Sequence, residues 1–131
     1  MEKADIIKAL EKFGEAEKDI KQKKEEISTI ELQQKNEETE TRIAKLQCQI
    51  SELETFRNCV QNEIDRLPYS QREVIIRRFV WRWKWIKIAR YIHYCKRNAE
   101  YILGKALDSL AENPAIEKAL KGVAFFGGDN S

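Results

Sequence analysis

The sequence predicts an all-α protein in which long N-terminal helices, forming a coiled coil or a helical hairpin, precede a C-terminal helix-turn-helix. Its composition is that of long solvated helices, because 35% of the 131 residues are charged and only five are Gly and two Pro. Apolar residues also recur every three or four positions along most of the chain, which is the period of an amphipathic helix. The third observation is an uneven distribution of charge.

Charge divides the chain into three segments. Residues 1–66 hold 12 Lys+Arg against 16 Asp+Glu (net −4), residues 67–111 hold 10 against 3 (net +7), and residues 112–131 hold 2 against 3 (net −1). A compact basic segment beside an acidic one is expected where one part of a protein meets a polyanion. We therefore expect a helical coiled-coil or dimerisation region at 1–66, a DNA-binding domain at 67–111, and a short helix with a flexible tail at 112–131.

The N-terminal segment contains two apolar seams with heptad-like spacing. The first seam contains Ile6, Leu10, Phe13, Ile20 and Ile27, and the second contains Ile43, Leu46, Ile50, Leu53, Val60, Ile64 and Leu67. Glu17 and Lys24 weaken the first seam, and Arg57 interrupts the second. Because the two seams are out of phase, the helix is expected to shift or break near residues 33–41. One long helix with a stutter and an antiparallel hairpin both fit this pattern.

An apolar seam needs another helix to bury it, from the same chain or from a second copy. The seams therefore predict either packing of these helices on each other or a homodimer formed through them. The heptad length favours the homodimer.

The long helix is expected to end at Leu67-Pro68, since proline disfavours helical conformation in the residue before it. Ser70 followed by Glu73 has the spacing of a capping box, which predicts a new helix from Gln71. Its apolar residues at helical spacing are Val74, Ile75, Phe79 and Val80.

Two further helices are predicted in the basic segment. The first covers Lys84 to Ile92 and the second about Lys96 to Leu110, separated by a short turn at His93-Tyr94. Their expected inward residues are Trp85, Ile88, Ala89, Ile92, Ala99, Ile102, Leu103, Ala106 and Leu110. Three helices with a tight turn between the last two predict a helix-turn-helix.

Such a unit places its last helix in the major groove of duplex DNA, with cationic side chains around it on the phosphates. The predicted base-reading residues on the last helix are Lys96, Arg97, Asn98, Glu100 and Tyr101. The predicted phosphate-contacting residues are Arg72, Arg77, Arg78, Arg82, Lys84, Lys87 and Arg90. Glu100 would either repel phosphate or accept a hydrogen bond from cytosine.

These residues carry a family resemblance. The run contains Leu67-Pro68, Arg72-Glu73-Val74-Ile75, Arg78-Phe79, Trp85-x-x-Ile88-Ala89-x-x-Ile92-His93-Tyr94-Cys95 and Ala106-Leu107-x-x-Leu110. It resembles region four of bacterial sigma factors and the sigma-like phage late-gene activators of the ArpU and RinA type. The resemblance covers about one third of the chain. The phage version fits better, because other sigma regions are absent and a helical region commonly precedes the module in those activators.

The resemblance implies a phage or prophage late-gene activator that acts at promoters in the bacterial host cytoplasm, with RNA polymerase as a second partner. The family's base-reading positions fall on Lys96, Arg97, Glu100 and Tyr101. Cys95 stands where the family has a Ser or Thr cap, so a weaker start of the last helix is expected. His93 stands where Gly is common, and His tolerates a positive φ better than most residues.

Two other functions fit the same features. A small terminase subunit for phage DNA packaging also combines a helix-turn-helix with oligomerising helices. A protein-interaction adaptor, or anti-activator, would keep the fold without binding DNA.

The aromatic residues between the predicted helices allow several interpretations. Phe79, Trp81, Trp83 and Trp85 alternate with Val80, Arg82 and Lys84. Taken alone, this alternation fits a strand, a membrane-active patch or a stacking platform for single-stranded nucleic acid. The helical segments on either side favour a turn whose tryptophans cap a small core.

No catalytic residue, cofactor or metal site is predicted, and the protein is not expected to be an enzyme. The chain has a single His, no Gly-rich phosphate loop, and three cysteines with no C-x-x-C pair. It also has no apolar run long enough to cross a membrane and no signal sequence, so a soluble protein without membrane contact is expected. Pro114 suits the first position of one more helix, after which Val123, Phe125 and Phe126 would dock on the core or on a partner and 127–131 would fray.

Overall fold

The computed structural model describes residues 2–33 and 35–121, and this part of the chain folds into six α-helices with no strand. The helices are α1 (Lys3–Glu31), α2 (Glu37–Asp65), α3 (Tyr69–Ile75), α4 (Trp85–Ile92), α5 (Lys96–Ala111) and α6 (Pro114–Lys121). A π-helical turn, Ile76–Val80, continues α3. The predicted all-α class is confirmed. The residues expected to dock or fray after α6, namely Val123, Phe125, Phe126 and 127–131, lie outside the described part.

α1 and α2 run antiparallel and pack against each other. Lys23 Nζ donates to Gln49 Oε1 at 3.1 Å, and Arg42 Nη2 donates to Glu26 Oε1 at 3.2 Å. Between them lies an apolar cluster of Ile20, Ile27, Ile30, Leu46, Ile50 and Leu53. Both predicted seams therefore face each other within one chain, and the interpretation as a single long helix is wrong.

Two of the three charges that interrupt the seams meet across the helical pair. Arg57 of α2 forms an ion pair with Glu17 of α1. The Glu17 side chain is 73% exposed, so this surface pair adds little to stability. Phe56, which neighbours Arg57, is buried in its place.

The break between the helices falls inside the predicted range. α1 ends at Glu31, and α2 starts after Asn36, whose side chain accepts a hydrogen bond from the Thr39 amide at 2.9 Å. The Thr39 hydroxyl in turn accepts from the Asn36 amide at 2.9 Å. This reciprocal cap satisfies backbone N–H groups at the start of α2 and ends the continuity of the helix without Gly or Pro.

A second core joins most of the chain. It is formed by Ile6, Ala9, Leu10, Phe13, Phe56, Val60, Ile64, Ile75, Ala106, Leu107, Leu110 and Ile116. These residues come from α1, α2, α3, α5 and α6, so one core crosses the predicted boundaries at 66/67 and 111/112. A third, smaller core of Val74, Ile88, Ala89 and Ala99 holds α3, α4 and α5 together.

The start of α3 differs from the prediction. The helix begins at Tyr69, with Pro68 as its N-cap and no side-chain capping bond, so the predicted Ser70–Glu73 capping box does not form. Glu73 instead forms an ion pair with Arg77 one turn later. Because α3 begins at Tyr69, Ser70 is already inside the helix and does not stand at the cap position.

α6 packs on α2 and starts as expected. Pro114 is its first residue, and Asn113 caps it by accepting a hydrogen bond from the Ala115 amide at 2.8 Å. Asn113 also donates to the carboxylate of Glu63, which is 7% exposed. The Cys59 thiol donates to the Ala115 carbonyl at 3.6 Å.

Gly14 lies where α1 passes closest to the π-helical turn. A Cβ at this position would overlap the Phe79 carbonyl oxygen and lie 2.9 Å from its carbonyl carbon. Since both obstacles are backbone atoms, neither can move aside without displacing the turn. Gly14 therefore permits a backbone contact between α1 and the segment that leads to α4.

We expect Gly14→Ala to destabilise the protein by about 1–3 kcal/mol, the range for overpacking. Gly104 is a matched control, because it is also helical and a Cβ there meets no atom within 4 Å. Gly104→Ala should stabilise the protein by about 0.5–1 kcal/mol, since Ala favours helix over Gly. Urea unfolding followed by circular dichroism measures both changes. Equal effects of the two substitutions would contradict the close contact.

Burial, and to a lesser extent the charge of Glu63, raises the pKa of the Cys59 thiol. The thiolate is the reactive form, so less of it is present at neutral pH and its fraction rises only at higher pH. We expect Cys59 to be alkylated more slowly than the exposed Cys48 and Cys95, with the gap narrowing from pH 7 to pH 9. Peptide mass mapping after timed iodoacetamide labelling checks this, and equal rates at pH 7 would refute it.

Candidate nucleic-acid interface

The three-residue turn between α4 and α5 has a well-defined backbone. His93 adopts a left-handed conformation, with φ 62° and ψ 35°, as the αL residue that ends α4. The Tyr94 amide then donates to the Ala89 carbonyl at 3.0 Å. A left-handed residue at this position is a common way to end a helix, and it confirms the expectation of a positive φ at His93.

α5 starts after Cys95, whose side chain makes no capping hydrogen bond. The Ala99 amide donates to the Cys95 carbonyl at 3.0 Å, so the helical pattern is complete from this point. The first amides of α5 keep no side-chain cap, as expected for a cysteine at the cap position.

The outward face of α5 is polar at its first two turns. All five predicted base-reading residues are exposed there: Lys96, Arg97, Asn98, Glu100 and Tyr101. Lys96 Nζ lies 3.8 Å from Glu100 Oε1, so the single acid on this face is close to a base. Tyr101 is 64% exposed, and Lys105 Nζ lies 5.5 Å from the centre of its ring. The opposite face of α5 is buried through Ala99, Ala106, Leu107 and Leu110.

Four of the seven predicted phosphate-contacting residues are exposed: Arg82, Lys84, Lys87 and Arg90. Arg82, at φ 57°, forms an ion pair with Glu15 of α1 at 2.9 Å. Lys87 Nζ lies 4.1 Å from the centre of the Trp83 ring. These two cations are therefore partly engaged within the chain.

Arg72 and Arg78 are half-buried, and each donates a hydrogen bond to a backbone carbonyl. Arg72 donates to Asp65 at 3.3 Å and also lies over the Tyr69 ring. Arg78 donates to Trp83 at 3.2 Å and lies 4.9 Å from the centre of the Trp85 ring. Each guanidinium group thus connects its helix to another segment of the chain. Its remaining N–H groups can donate to solvent.

Arg77 differs from the prediction. It is 5% exposed, forms an ion pair with Glu73, and its guanidinium carbon lies 3.6 Å from the centre of the Tyr91 ring. The rings of Trp81 and Trp83 lie 4.7 and 5.2 Å away. A cation enclosed in this way does not reach a phosphate, so we assign Arg77 to the core.

The burial of Arg77 follows from side chains that come later in the chain. Arg77 is the second residue of the π-helical turn, in which the Trp81 amide donates to the Ile76 carbonyl at 3.1 Å. The rings of Trp81 and Trp83, from the loop before α4, and of Tyr91, from α4, cover its guanidinium. The local period of α3 does not show these partners, which is why it places Arg77 outside.

The tryptophans pack as the sequence favoured, with one exception. Trp83 and Trp85 are partly buried against the small core, whereas Trp81 is 52% exposed. Trp81 still contacts Trp83, with ring centres 5.4 Å apart, and the segment forms no strand. The alternating residues therefore lie at the end of the π-helical turn, in the loop after it and at the start of α4. Trp81 and Trp83 of this loop cover Arg77.

The structure also brings together tyrosines that the sequence did not single out. Tyr69, Tyr91 and Tyr94 line a cleft of about 420 Å³ beside the α4–α5 turn, with Ser70, Ile92 and His93. Tyr69 and Tyr91 are 22 positions apart, so no local period joins them. The only signal in the sequence was the position of Tyr94 in the turn.

Two further observations concern residues 2–33 and 35–121. Within this part, no three His, Cys, Asp or Glu side chains are grouped as metal ligands. None of its helices is both long and apolar enough to cross a membrane.

Comparison with known proteins finds no matching family model, no matching curated protein and no matching solved structure.

Replacing Arg77 tests its assignment to the core. We expect Arg77→Met to destabilise the protein by about 3–5 kcal/mol, because Glu73 would be left enclosed without its partner. Adding Glu73→Gln should recover part of the loss, since the stranded charge is then removed. Arg90→Met, at an exposed position of α4, is the control and should change stability by less than about 0.5 kcal/mol. Denaturation monitored by tryptophan fluorescence gives the values, and a neutral Arg77→Met would place Arg77 at the surface.

Proposed function

We propose that α3, α4 and α5 form a helix-turn-helix that binds duplex DNA in a sequence-specific manner, and that the protein regulates transcription. The observation that carries the proposal is the first two turns of α5. They present Lys96, Arg97, Asn98 and Tyr101 to solvent while Ala99 on the opposite face is fully buried. A helix anchored on one face and polar on the other is the form that enters a major groove.

Arg97 is the residue on which base reading chiefly rests. It is exposed, and its side chain forms no ion pair or hydrogen bond within the described part of the chain. A free guanidinium can donate two hydrogen bonds to the O6 and N7 atoms of one guanine. Lys96, in contrast, shares its charge with Glu100.

Lys84, Lys87 and Arg90 support the same function from α4 and the loop before it. They are exposed on the basic segment, whose net charge is +7 over residues 67–111. Cations placed around a groove-binding helix hold the phosphates and fix its register. Arg82 adds to this set, although it is also paired with Glu15.

The biological setting of this proposal comes from the resemblance alone. Similarity to sigma region four and to phage late-gene activators makes promoter DNA in a bacterial cytoplasm the proposed target and RNA polymerase the proposed second partner. A homodimer through α1 and α2 remains part of the proposal. Because the seam residues are already buried within one chain, the dimer would use other residues of these helices, and light scattering of the purified protein would measure its mass.

A protein-interaction adaptor is the second candidate. The observation that favours it is the exposure of large apolar side chains beside the basic residues, with Ile86 63% and Trp81 52% exposed. Such side chains are typical of protein-contacting surfaces.

Selection of duplex oligonucleotides by the full chain, with Arg97→Ala in parallel, tests the proposal. We expect the wild type to enrich a defined site and Arg97→Ala to lose about 1–3 kcal/mol of discrimination at one base position. Lys45→Ala, an exposed position on α2, is the matched control and should select the same site. Enrichment of a phage DNA-packaging site would favour the terminase function. Weak, salt-sensitive binding without preference would refute base reading and favour the adaptor.

Titration at several salt concentrations separates phosphate contacts from base contacts. We expect Lys84→Ala to weaken binding to all duplexes alike and to reduce the slope of log K against log salt by about 1. Fluorescence anisotropy with selected and scrambled duplexes measures both quantities. An unchanged slope would show that Lys84 does not contact a phosphate.

A further inference from the structure

We propose that the tyrosine cleft, lined by Tyr69, Ser70, Tyr91, Ile92, His93 and Tyr94, binds one sugar-phosphate unit of the DNA strand that borders the bases read by α5. This inference rests on the proposed function and adds a second binding site to it. None of the three tyrosines is among the residues predicted from the sequence to contact DNA.

The size and lining of the tyrosine cleft fit such a unit. Its volume of about 420 Å³ lies in the range of ligand-binding pockets. The rings of the tyrosines and the Ile92 side chain offer an apolar wall for a deoxyribose. Phenol hydroxyls donate hydrogen bonds, and tyrosine is one of the side chains that contact phosphate oxygens in protein–DNA complexes.

The position of the cleft relative to α5 supports the same ligand. Tyr94 lies two residues before Lys96, and its amide is held by the Ala89 carbonyl at 3.0 Å. Two residues span at most about 7 Å, whereas the major groove is about 12 Å wide. With the start of α5 near the middle of the groove, the cleft comes to the strand at its edge.

The charges around the cleft favour an anion. Arg72 lies over the Tyr69 ring at 5.7 Å, Arg90 directly precedes Tyr91, and Lys96 follows the turn. Glu73 is the acid that faces Tyr69, and its charge is compensated by Arg77. The cleft therefore has one cation against its Tyr69 ring, two more next to its lining residues in the chain, and an acid whose charge is paired.

The hydrogen bonds of the tyrosines single out Tyr94 as the donor. A hydrogen bond with Tyr91 and, after it, the hydrogen bond and charge of Glu73 raise the pKa of the Tyr69 phenol. Because a phenol has a single O–H, the Tyr69 and Tyr91 hydrogens are used within the chain, and Tyr94 is the phenol that can donate to a phosphate.

Tyr94→Phe in the full chain tests the cleft, since it removes only a hydroxyl group. Binding is measured on the duplex that the wild type selects and on copies in which one phosphate at a time is a neutral methylphosphonate. We expect Tyr94→Phe to bind the unmodified duplex about 10-fold more weakly, the loss for a hydrogen bond to a charged group. The salt slope should stay unchanged, because a neutral donor releases no counterion.

The decisive readout is non-additivity at one linkage. At the phosphate held by the cleft, a methylphosphonate should weaken the wild type but have little further effect on Tyr94→Phe. Lys84→Ala serves as the control and should remain sensitive at that linkage, because its contact lies elsewhere. A merely structural role for Tyr94 would lower affinity on every duplex by the same factor.

Three results would overturn the proposal. The first is wild-type affinity of Tyr94→Phe for the selected duplex, and the second is an equal loss on every methylphosphonate duplex. Either result leaves sequence-specific binding by α5 in place. The third is the absence of any duplex preferred by the wild type, which overturns the cleft and the proposed function together.

Discussion

Gly14 carries no side chain at the point where α1 meets the π-helical turn, and the contact there is between two backbones. Because α1 can approach so closely, Phe13 and Leu10 reach the core shared with α3 and α5, and Phe79 packs at its edge. The same approach brings Glu15 to Arg82. The placement of residues 67–111 against α1 and α2 thus depends on the absence of a side chain at Gly14.

The π-helical turn links that contact to the candidate interface. It contains Arg77, whose guanidinium is surrounded by the rings of Tyr91, Trp81 and Trp83. Since Tyr91 belongs to α4 and Trp83 to the loop before it, the contacts of Arg77 hold α4 and this loop against the π-helical turn. α5 is in turn held against α4 by Ala99 in the small core. The orientation of the proposed reading face is therefore set by buried residues that never meet the solvent.

The cations of the basic segment, residues 67–111, are not equally available to a ligand, although its net charge is +7. Of the cations in the basic segment, Arg77 is enclosed, Arg82 is paired with α1, and Lys96 is close to Glu100. Arg97 and Arg90 stay exposed beside them. The charge available to a polyanion is accordingly concentrated at the start of α5 and on the outer side of α4, next to the tyrosine cleft.

Much of this architecture was predictable because it depends on neighbours in the chain. The 3.6-residue period located α4 and α5 to within a residue or two, and the phase change between the seams located the break before Asn36. The exposed polar face of α5 follows from the same period. Packing partners over longer distances were not predictable. Ser70 lies inside α3 instead of at its cap, and Arg77 is buried because rings from α4 and the loop before it cover its guanidinium. Tyr69 meets Tyr91 across 22 positions, and Gly14 meets Phe79 across 65 positions. A local pattern indicates which residues share a helix face. Burial and close contacts depend on how separate helices pack against one another, which a local pattern does not contain.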